Sequence, residues 1–530
     1  MLSGAFSPFG QFYLAWVGLV PWILVLGSTR SWFRAALWGG LGGLLFNAIS
    51  ISWLFRATVP GAIGLILYLS LFWSLAAAVV KLLKFETAWR PLGVFASVFT
   101  FALIWTGTEW FRGYLFGGIA WMYFGISQTP VLAMCQVADL GGVFAVSFWL
   151  AAINAAVAMI FLLPRDQRAN LTGAFAAVAA LLAIVFGYGV WRMSQRDALR
   201  PGPRVMIVQP NFPHLRGGAK TVTWEQQADY HFANTERALS EDNAIDLVVW
   251  SETVMPPMNI EARRKAKDPR LSHGIHDALV SLANRYRTSV LFGAYALVKF
   301  EGSERDADIR NSAYLYAHDQ RQQPRYDKVH LVPYGESVPF RYSIRWLHNL
   351  LFKLAGYAVD YLITPGPADQ LTVFDIAARD GSETSRCVTP ICFEDVDGAL
   401  VARMFRNDTS RMKPGKRAEF IVNLSNDGWF RGTMRRQHLQ NAIFRSIENR
   451  APTARACNTG ISCFIDSIGR IDEATMMPED TSGERVGQLM LDDRFTFYTQ
   501  YGDVFGGGCA IVTALMLTYS LSPYSGRGRG

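Results

Sequence analysis

Apolar runs close to the ~20 residues that a bilayer demands of a helix dominate the first 200 positions, and one more closes the 530-residue chain. They lie at Phe12 to Leu26, Ala36 to Leu54, Ile63 to Val80, Leu92 to Trp105, Val143 to Leu163, Gly173 to Trp191 and Val504 to Leu521. Helices buried in a soluble bundle keep a polar face, and these runs have none. Between the last two the composition becomes that of an ordinary globular protein, so the overall apolar fraction of 51% averages two different materials. A chain this long exceeds one hydrophobic core in any case. The expected organisation is a multi-pass α-helical membrane domain of about six helices over 1–200, a globular domain over 203–498 outside the cytoplasm, and a transmembrane helix over 502–523.

Orientation follows from basic residues in the short loops. Arg30 and Arg34 follow the first run, Lys81, Lys84 and Arg90 the third, Arg165 and Arg168 the fifth, and Arg527 and Arg529 the last, whereas the alternate loops hold little beyond Arg56 and Arg112. The basic set marks the cytoplasmic side, which puts the C-terminus there and the globular block outside. Much of the net charge of +8 is therefore topological, and no nucleic-acid partner is needed to explain it. The same count puts Met1 outside with no basic residue ahead of the first run, so either a short terminus is translocated or the natural start lies upstream. A cleavable signal peptide lacks its basic n-region here.

From Arg204 onward, strand-like runs (Val205 to Val208, Ile245 to Trp250, Ser289 to Gly293, Asn311 to Tyr316, Val388 to Ile391, Phe420 to Leu424, Ile461 to Ile465) alternate with helical ones (Trp224 to Leu239, His276 to Arg285, Arg435 to Asn449). That alternation predicts an α/β layered domain. Chemistry in such sheets collects where strands end, and Glu252 and Cys392 each stand just past one. A thiol attacks as thiolate and needs a base. Glu252, dried by burial, has the chemistry to take the Cys392 proton, and Lys328 to stabilise an oxyanion. Each has a plain alternative as core filler, solvated carboxylate or surface ion pair. The six cysteines, at 135, 387, 392, 457, 463 and 509, show no zinc-ligand spacing, and no metal or other cofactor is expected. Cys135 and Cys509 read as apolar filler, and the nucleophile reading needs Cys392 unpaired. Serine-hydrolase, P-loop, zincin and dinucleotide fingerprints are missing from the sequence.

The contexts narrow the choice. Lys328 opens a run through Tyr334-Gly335-Glu336-Ser337-Val338-Pro339-Phe340, Cys392 is followed by Phe393 and Glu394, and then come Asn423-Leu424-Ser425-Asn426-Asp427-Gly428-Trp429-Phe430, Gln437-His438, Arg445 to Arg450, and Asn458-Thr459-Gly460. In that order they resemble the nitrilase superfamily, and within it the membrane branch, the apolipoprotein N-acyltransferases. The likeness extends from Ala5-Phe6-Ser7-Pro8 through Glu109-Trp110-Phe111-Arg112-Gly113 to the last helix. It implies a nitrilase-like αββα sandwich, with Glu252 as general base, Lys328 as oxyanion stabiliser and Cys392 as nucleophile. Glu336 and Glu394 fall near the centre or anchor its loops. Asn426 and Trp429 shape the pocket wall or serve structure alone, and His438 reads as a packing or capping residue. Two positions depart from the family. Ser251 stands where Pro is frequent, which affects only the stiffness of the turn. Phe393 stands where Tyr commonly follows the nucleophile, which removes a hydroxyl but keeps the backbone N–H.

The stretch Arg341 to Tyr361 is too charged to span a bilayer and too apolar to be a plain loop. Trp346, Leu350, Leu351 and Phe352 are expected either to dip into lipid as a lid or to pack on the domain. The resemblance implies an inner-membrane enzyme of bacteria, with its catalytic domain in the periplasm. It would move an acyl chain from a phospholipid, through a cysteine thioester, to the α-amino group of a diacylated apolipoprotein. It is expected to act as a monomer in the bilayer. Two rivals are a membrane-tethered amidase acting on small amides and a non-catalytic lipid-binding or transport protein. Intramembrane charge would favour transport, but Glu109 and Arg112, one helical turn apart near a membrane edge, read as a local pair.

Overall fold

The computed structural model describes all residues except 84–92, 214–220, 243, 266–267, 299–307, 319, 321–322, 334, 339–343, 356–362, 407–414, 431 and 523–530, and the side chains of 166–167, 354–355 and Trp429. Lys84, Arg90, Tyr334, Pro339, Phe340, Arg341, Tyr361, Arg527 and Arg529, invoked above, lie outside the described residues. Two compact units result, one made of residues 1–195 with 501–530 and the other of residues 196–500.

The first unit is helical. Among the described residues, five helices are long and apolar enough to cross a membrane: Val59–Leu82, Gly93–Arg112, Ala138–Leu162, Arg168–Ser194 and Val504–Leu521. Two of the expected spans differ. The first run breaks into a 3-10 turn at Phe12–Trp16 and a helix of 9 residues at Val20–Ser28, with Pro21 in its first turn. The second forms a 19-residue helix, Trp32–Ser50, which carries Arg34, Asn47 and four glycines. Those glycines are there for contact. A Cβ on Gly39 would lie 2.7 Å from the Trp73 carbonyl, and one on Gly43 2.7 Å from the Trp73 ring, so only glycine permits this helix to approach Val59–Leu82 so closely. Trp73 in turn meets Trp22 and Trp105 edge to face, at 5.5 and 5.0 Å. The outward stripe of Val59–Leu82 is Ile63, Leu67, Leu71 and Leu75, all exposed. An i, i+4 apolar stripe left bare is untenable in water and ordinary in lipid.

Among the described residues the second unit holds eleven strands: β1 Leu199–Gln209, β2 Leu247–Trp250, β3 Ser289–Val298, β4 Asp308–Tyr316, β5 Arg325–Asp327, β6 Phe374–Ala377, β7 Thr384–Val388, β8 Phe420–Ser425, β9 Thr453–Cys457, β10 Cys463–Ile465 and β11 Gly483–Asp492. One sheet runs β11-β1-β2-β3-β4-β5 and the other β10-β9-β8-β7-β6. Period-two alternation separates the layers. Val205 and Ile207 face a core shared with Val388, Leu424 and Phe420 of the other sheet. Met206 and Val208 face Leu239, Ile275 and Leu279 of the covering helices Trp224–Glu241 and Pro269–Tyr286. This is the α/β sandwich expected from the alternation. The unit begins earlier than the expected residue 203, because β1 extends back to Leu199 to pair with Asp492 of β11. Strands β1, β2 and β3 are parallel, as are β7, β8 and β9, so their C-terminal ends gather at one edge of each sheet.

Candidate active site

Glu252 is carried two residues past β2 on a turn in which Thr253 has φ +52°. The turn lies directly against β3. A Cβ on Gly293 would sit 2.6 Å from Glu252 Cα, so glycine is required there. The carboxylate is buried, and Oε1 accepts from Asn311 Nδ2 at 2.6 Å while Oε2 accepts from the Asn426 N–H at 2.7 Å. Lys328 follows β5 directly, and its backbone N–H donates to the Asn311 carbonyl at 2.8 Å. Its ammonium lies 3.6 Å from Glu252 Oε1 and 2.8 Å from Glu336 Oε2.

Cys392 stands at φ +50°, a left-handed conformation that a β-carbon makes costly. Its Sγ lies 3.7 Å from Ser425 Oγ. Neither Cys392 nor the other cysteines form a disulfide. Burial pushes the thiol well above its ordinary range, and the Glu252 charge adds to that while Lys328 opposes it. Burial likewise raises Glu252, against the pull of Lys328. Burial alone would lower Lys328, but Glu336 and Glu252 overrule it and keep it an ammonium. The resting cluster is therefore one cation, two carboxyl groups and a neutral thiol, an arrangement in which a proton must leave sulfur before sulfur can attack.

Glu336 and Glu394 are loop anchors in contact with this centre. Glu336 binds the Lys328 ammonium, accepts from the Val332 N–H at 2.9 Å and from Asn311 Nδ2 at 3.2 Å. Glu394 ties the two loops together: Oε1 accepts from Val329 and His330 N–H and from Tyr326 Oη, and Oε2 from Ile391 N–H, all within 3.0 Å. Burial raises its pKa, against those bonds. Asn426 fixes the wall beside Glu252, donating from Nδ2 to Thr253 Oγ1 at 3.1 Å and accepting from Asn458 Nδ2 at 2.9 Å. A narrow cavity opens here, lined by Glu252, Thr253, Val254, Asn426, Asn458 and Phe212. The Phe393 ring meets the His330 ring edge to face at 5.5 Å. Trp346 and Leu350 are 71% and 48% exposed on helix Arg345–Ala355, with Leu351 and Phe352 partly buried.

A second buried cluster lies behind the thiol. His438 places Nε2 2.9 Å from Asp395 and 3.2 Å from the Cys392 carbonyl oxygen, and Nδ1 3.2 Å from Asp427. Arg455 reaches Asp395 at 2.9 Å, Asp427 at 3.4 Å and the Asn423 side chain. Burial would lower His438, but Asp395 and Asp427 raise it to about 9. This imidazolium joins the cluster to the Cys392 turn through that backbone carbonyl oxygen. Sequence reasoning missed Asn311, Asp395, Ser425, Asp427 and Arg455. The available signal was a polar residue inside a strand run, Asn423 within Phe420 to Leu424, which a purely structural strand would leave apolar; Arg455 stands on β9, which the alternation did not disclose. Among the described residues no cluster of three His, Cys, Asp or Glu side chains is placed to hold a metal ion.

Residues 204–492 match the carbon-nitrogen hydrolase family, and residues 1–156 match the apolipoprotein N-acyltransferase N-terminal domain. The apolipoprotein N-acyltransferase of Chlorobaculum tepidum is 28% identical over 95% of this chain and 91% of its own length. That of Geobacter metallireducens is 28% identical over 97% and 93%, and that of Caulobacter vibrioides 30% identical over 90% and 82%. Among solved structures, a Saccharomyces cerevisiae member of branch 10 of the nitrilase superfamily aligns with TM-score 0.37 and 18% identity, over 56% of this chain and 92% of that one.

Proposed function

This chain belongs to the apolipoprotein N-acyltransferase family, and we propose that it is a membrane enzyme transferring a fatty acyl chain from a phospholipid to the α-amino group of a diacylated apolipoprotein through a thioester on Cys392. The observation that supports the reading is that the Lys328 ammonium lies 3.6 Å from Glu252 and 2.8 Å from Glu336 while all three charges act on a Cys392 thiol raised well above its ordinary range.

Glu252 accepts the thiol proton as sulfur attacks the ester carbonyl carbon. The negative charge formed on the carbonyl oxygen is met by the Lys328 ammonium. The tetrahedral adduct expels the lysophospholipid alkoxide, which takes the proton from Glu252, and a thioester remains. The acceptor amine then attacks the thioester carbon. Glu252 removes a proton from that nitrogen and returns it to the departing sulfur, leaving an amide and the starting thiol. Net charge in the pocket is unchanged when the proton moves from Cys392 to Glu252, because thiolate replaces carboxylate beside the same cation. That conservation is why a buried site supports the step.

The setting follows the same reading. The enzyme lies in the bacterial inner membrane as a monomer, with the catalytic unit in the periplasm and the C-terminus in the cytoplasm. The exposed Trp346 and Leu350 enter the lipid as a lid. Intact-mass measurement after incubation with phospholipid tests the chemistry: the native protein gains one acyl chain and Cys392→Ala gains none. An adduct on both, or on neither, removes the nucleophile. Passage of the label to a diacylated lipopeptide, as opposed to release of free fatty acid, separates transfer from amidase-type hydrolysis. Serine at both 346 and 350 is expected to raise KM for phospholipid with little change in kcat, and an unaltered KM would dispose of the lid.

A further inference from the structure

One hydroxyl stands between the two sides of Cys392. Ser425 closes β8, is buried, and has its backbone pinned to β9: it lies in register with Cys457, and its carbonyl accepts the Asn458 N–H at 3.0 Å. Its Oγ lies 2.7 Å from Asp427 Oδ1 and 3.7 Å from Cys392 Sγ, the longer contact being one that only an atom as large as sulfur permits. A serine hydroxyl carries one proton, so it serves one of these acceptors at a time. In the resting protein the sulfur is a neutral thiol and Asp427 an ion. Burial would raise Asp427, but His438 and Arg455 hold it well below the ordinary carboxylate range. Charge and distance then both favour Asp427. Once Glu252 has taken the thiol proton, the thiolate is a charged acceptor as well. Lys328 is bound to Glu336 and needed at the carbonyl oxygen, and among the described residues Ser425 is the one side-chain hydrogen-bond partner of the sulfur. Asp427 can release the hydroxyl without being left bare, because His438 Nδ1 stands at 3.2 Å and Arg455 Nη2 at 3.4 Å.

We propose that Ser425 is a further catalytic residue: its hydroxyl rests on Asp427 and turns to the Cys392 sulfur whenever that sulfur carries negative charge, in the attack on the ester and again as the thioester collapses. No bond at Ser425 is made or broken. Its O–H stays intact and rotates, and the thiol proton still passes to Glu252. The charged groups acting on the sulfur are Glu252 beyond β2, Lys328 beyond β5, Glu336 on the lysine loop and Asp427 beyond β8, and His438 and Asp395 meet behind it at the Cys392 carbonyl. Of the first four, the three carboxylates oppose a thiolate and Lys328 alone favours it. A neutral donor eases that opposition without placing another ion in a buried pocket. The role rests on Cys392 as the reacting thiol, and on neither the acyl donor nor the acceptor.

Iodoacetamide labelling of the full-length protein in detergent tests this without lipid or lipopeptide. Peptide-resolved mass spectrometry reads the label at Cys392, the one cysteine of the six that is not fully buried, and the rate against pH reports thiolate. Ser425→Ala is expected to move the midpoint to higher pH and to slow labelling below it about tenfold. Ser425→Thr, which keeps the hydroxyl, is expected to retain the native curve. A serine that only oriented Asp427 would change the melting temperature and leave the midpoint in place, so an unmoved midpoint in folded Ser425→Ala overturns the role. A threonine curve that follows the alanine one would assign the shift to packing and overturn it equally. If Ser425→Ala does not fold, Ser425→Cys decides, because a thiol of similar size is a weak donor: the same upward shift is expected, and a native curve ends the proposal. Absence of label on native Cys392 at every pH removes the nucleophile and this role with it, whereas normal labelling with an unmoved midpoint removes the role alone and leaves the proposed acyl transfer standing.

Discussion

Two buried charge clusters meet at Cys392, one at its sulfur and one at its carbonyl oxygen, and they are built on opposite plans. On the carbonyl side, His438 and Arg455 face Asp395 and Asp427, two cations against two carboxylates. On the sulfur side, one ammonium faces two carboxyl groups, and the thiol is pushed up by burial and by Glu252. The balanced cluster holds a strained turn in place. The unbalanced one makes a proton transfer the condition of reactivity. Substitutions on the sulfur side should therefore damage chemistry in a folded protein, and those on the carbonyl side should damage folding first.

The largest effect is expected from Cys392→Ala, which should abolish the acyl adduct and lower transfer on the order of 10⁴-fold or more, with an undisturbed melting profile. Next comes Glu252→Gln, expected to lower kcat by about 10²- to 10⁴-fold while retaining the bonds from Asn311 and Asn426 in part. In the native enzyme, activity should fall as pH drops through the Glu252 pKa, which burial places above the ordinary 4.5. The same titration of Glu252→Gln should lack that limb. A limb of identical position in both would move the base elsewhere.

On the carbonyl side, His438→Gln leaves two buried carboxylates facing only Arg455, and breaking such a set typically costs about 3–5 kcal/mol. The folded fraction should keep kcat within about tenfold of native, measured against active-site titre. The pH dependence has a defined sign. His438 is raised in the folded state from 6.5 to about 9, so its contribution is complete below pH 6.5 and disappears as pH rises through about 9. Asp427 is lowered from 3.8, so its contribution is present above that value and disappears on acidification. Chemical-denaturation midpoints across pH 6.5 to 9 should fall in the native protein and stay nearly level in His438→Gln. If His438→Gln is fully stable yet inactive, the division between the clusters fails.

The two regions differ equally in how far the sequence discloses them. Glu252 and Cys392 end apolar runs, so a reader of strand ends finds them. Lys328 follows β5, a strand of 3 residues too short to carry a pattern, and it becomes recognisable only from the motif around it. Cys392 was expected to end a run through Ile391, but β7 stops at Val388 and Ile391 makes only an isolated bridge to Leu424, which frees the chain to turn at the sulfur. The carbonyl-side cluster is assembled from β8, β9, a helix and the Cys392 turn. Each residue is individually unremarkable, and pairing of distant charges leaves no periodic trace. In the helical unit, apolar runs mark the long helices, Trp32–Ser50 among them, but nothing in hydropathy discloses the close approach that its glycines permit.

The smallest effect, and the finest test of the comparison, is at Phe393. Its side chain belongs to neither cluster: the ring rests edge-on against His330, whose Nδ1 lies 2.9 Å from Asp397 Oδ2. His330 in turn gives its backbone N–H to Glu394, the carboxylate that joins the lysine and cysteine loops. Phe393→Tyr adds a hydroxyl to a contact that already packs, so it should change kcat by no more than about threefold and stability by no more than about 1 kcal/mol. Phe393→Ala removes the ring that supports His330 and should lower stability by about 3 kcal/mol, with KM and kcat of the folded fraction moving together as the loop junction loosens. A tenfold gain in kcat from the tyrosine, with stability unchanged, would show that an added donor still acts on the sulfur side, and that the charges around Cys392 do not by themselves set the rate.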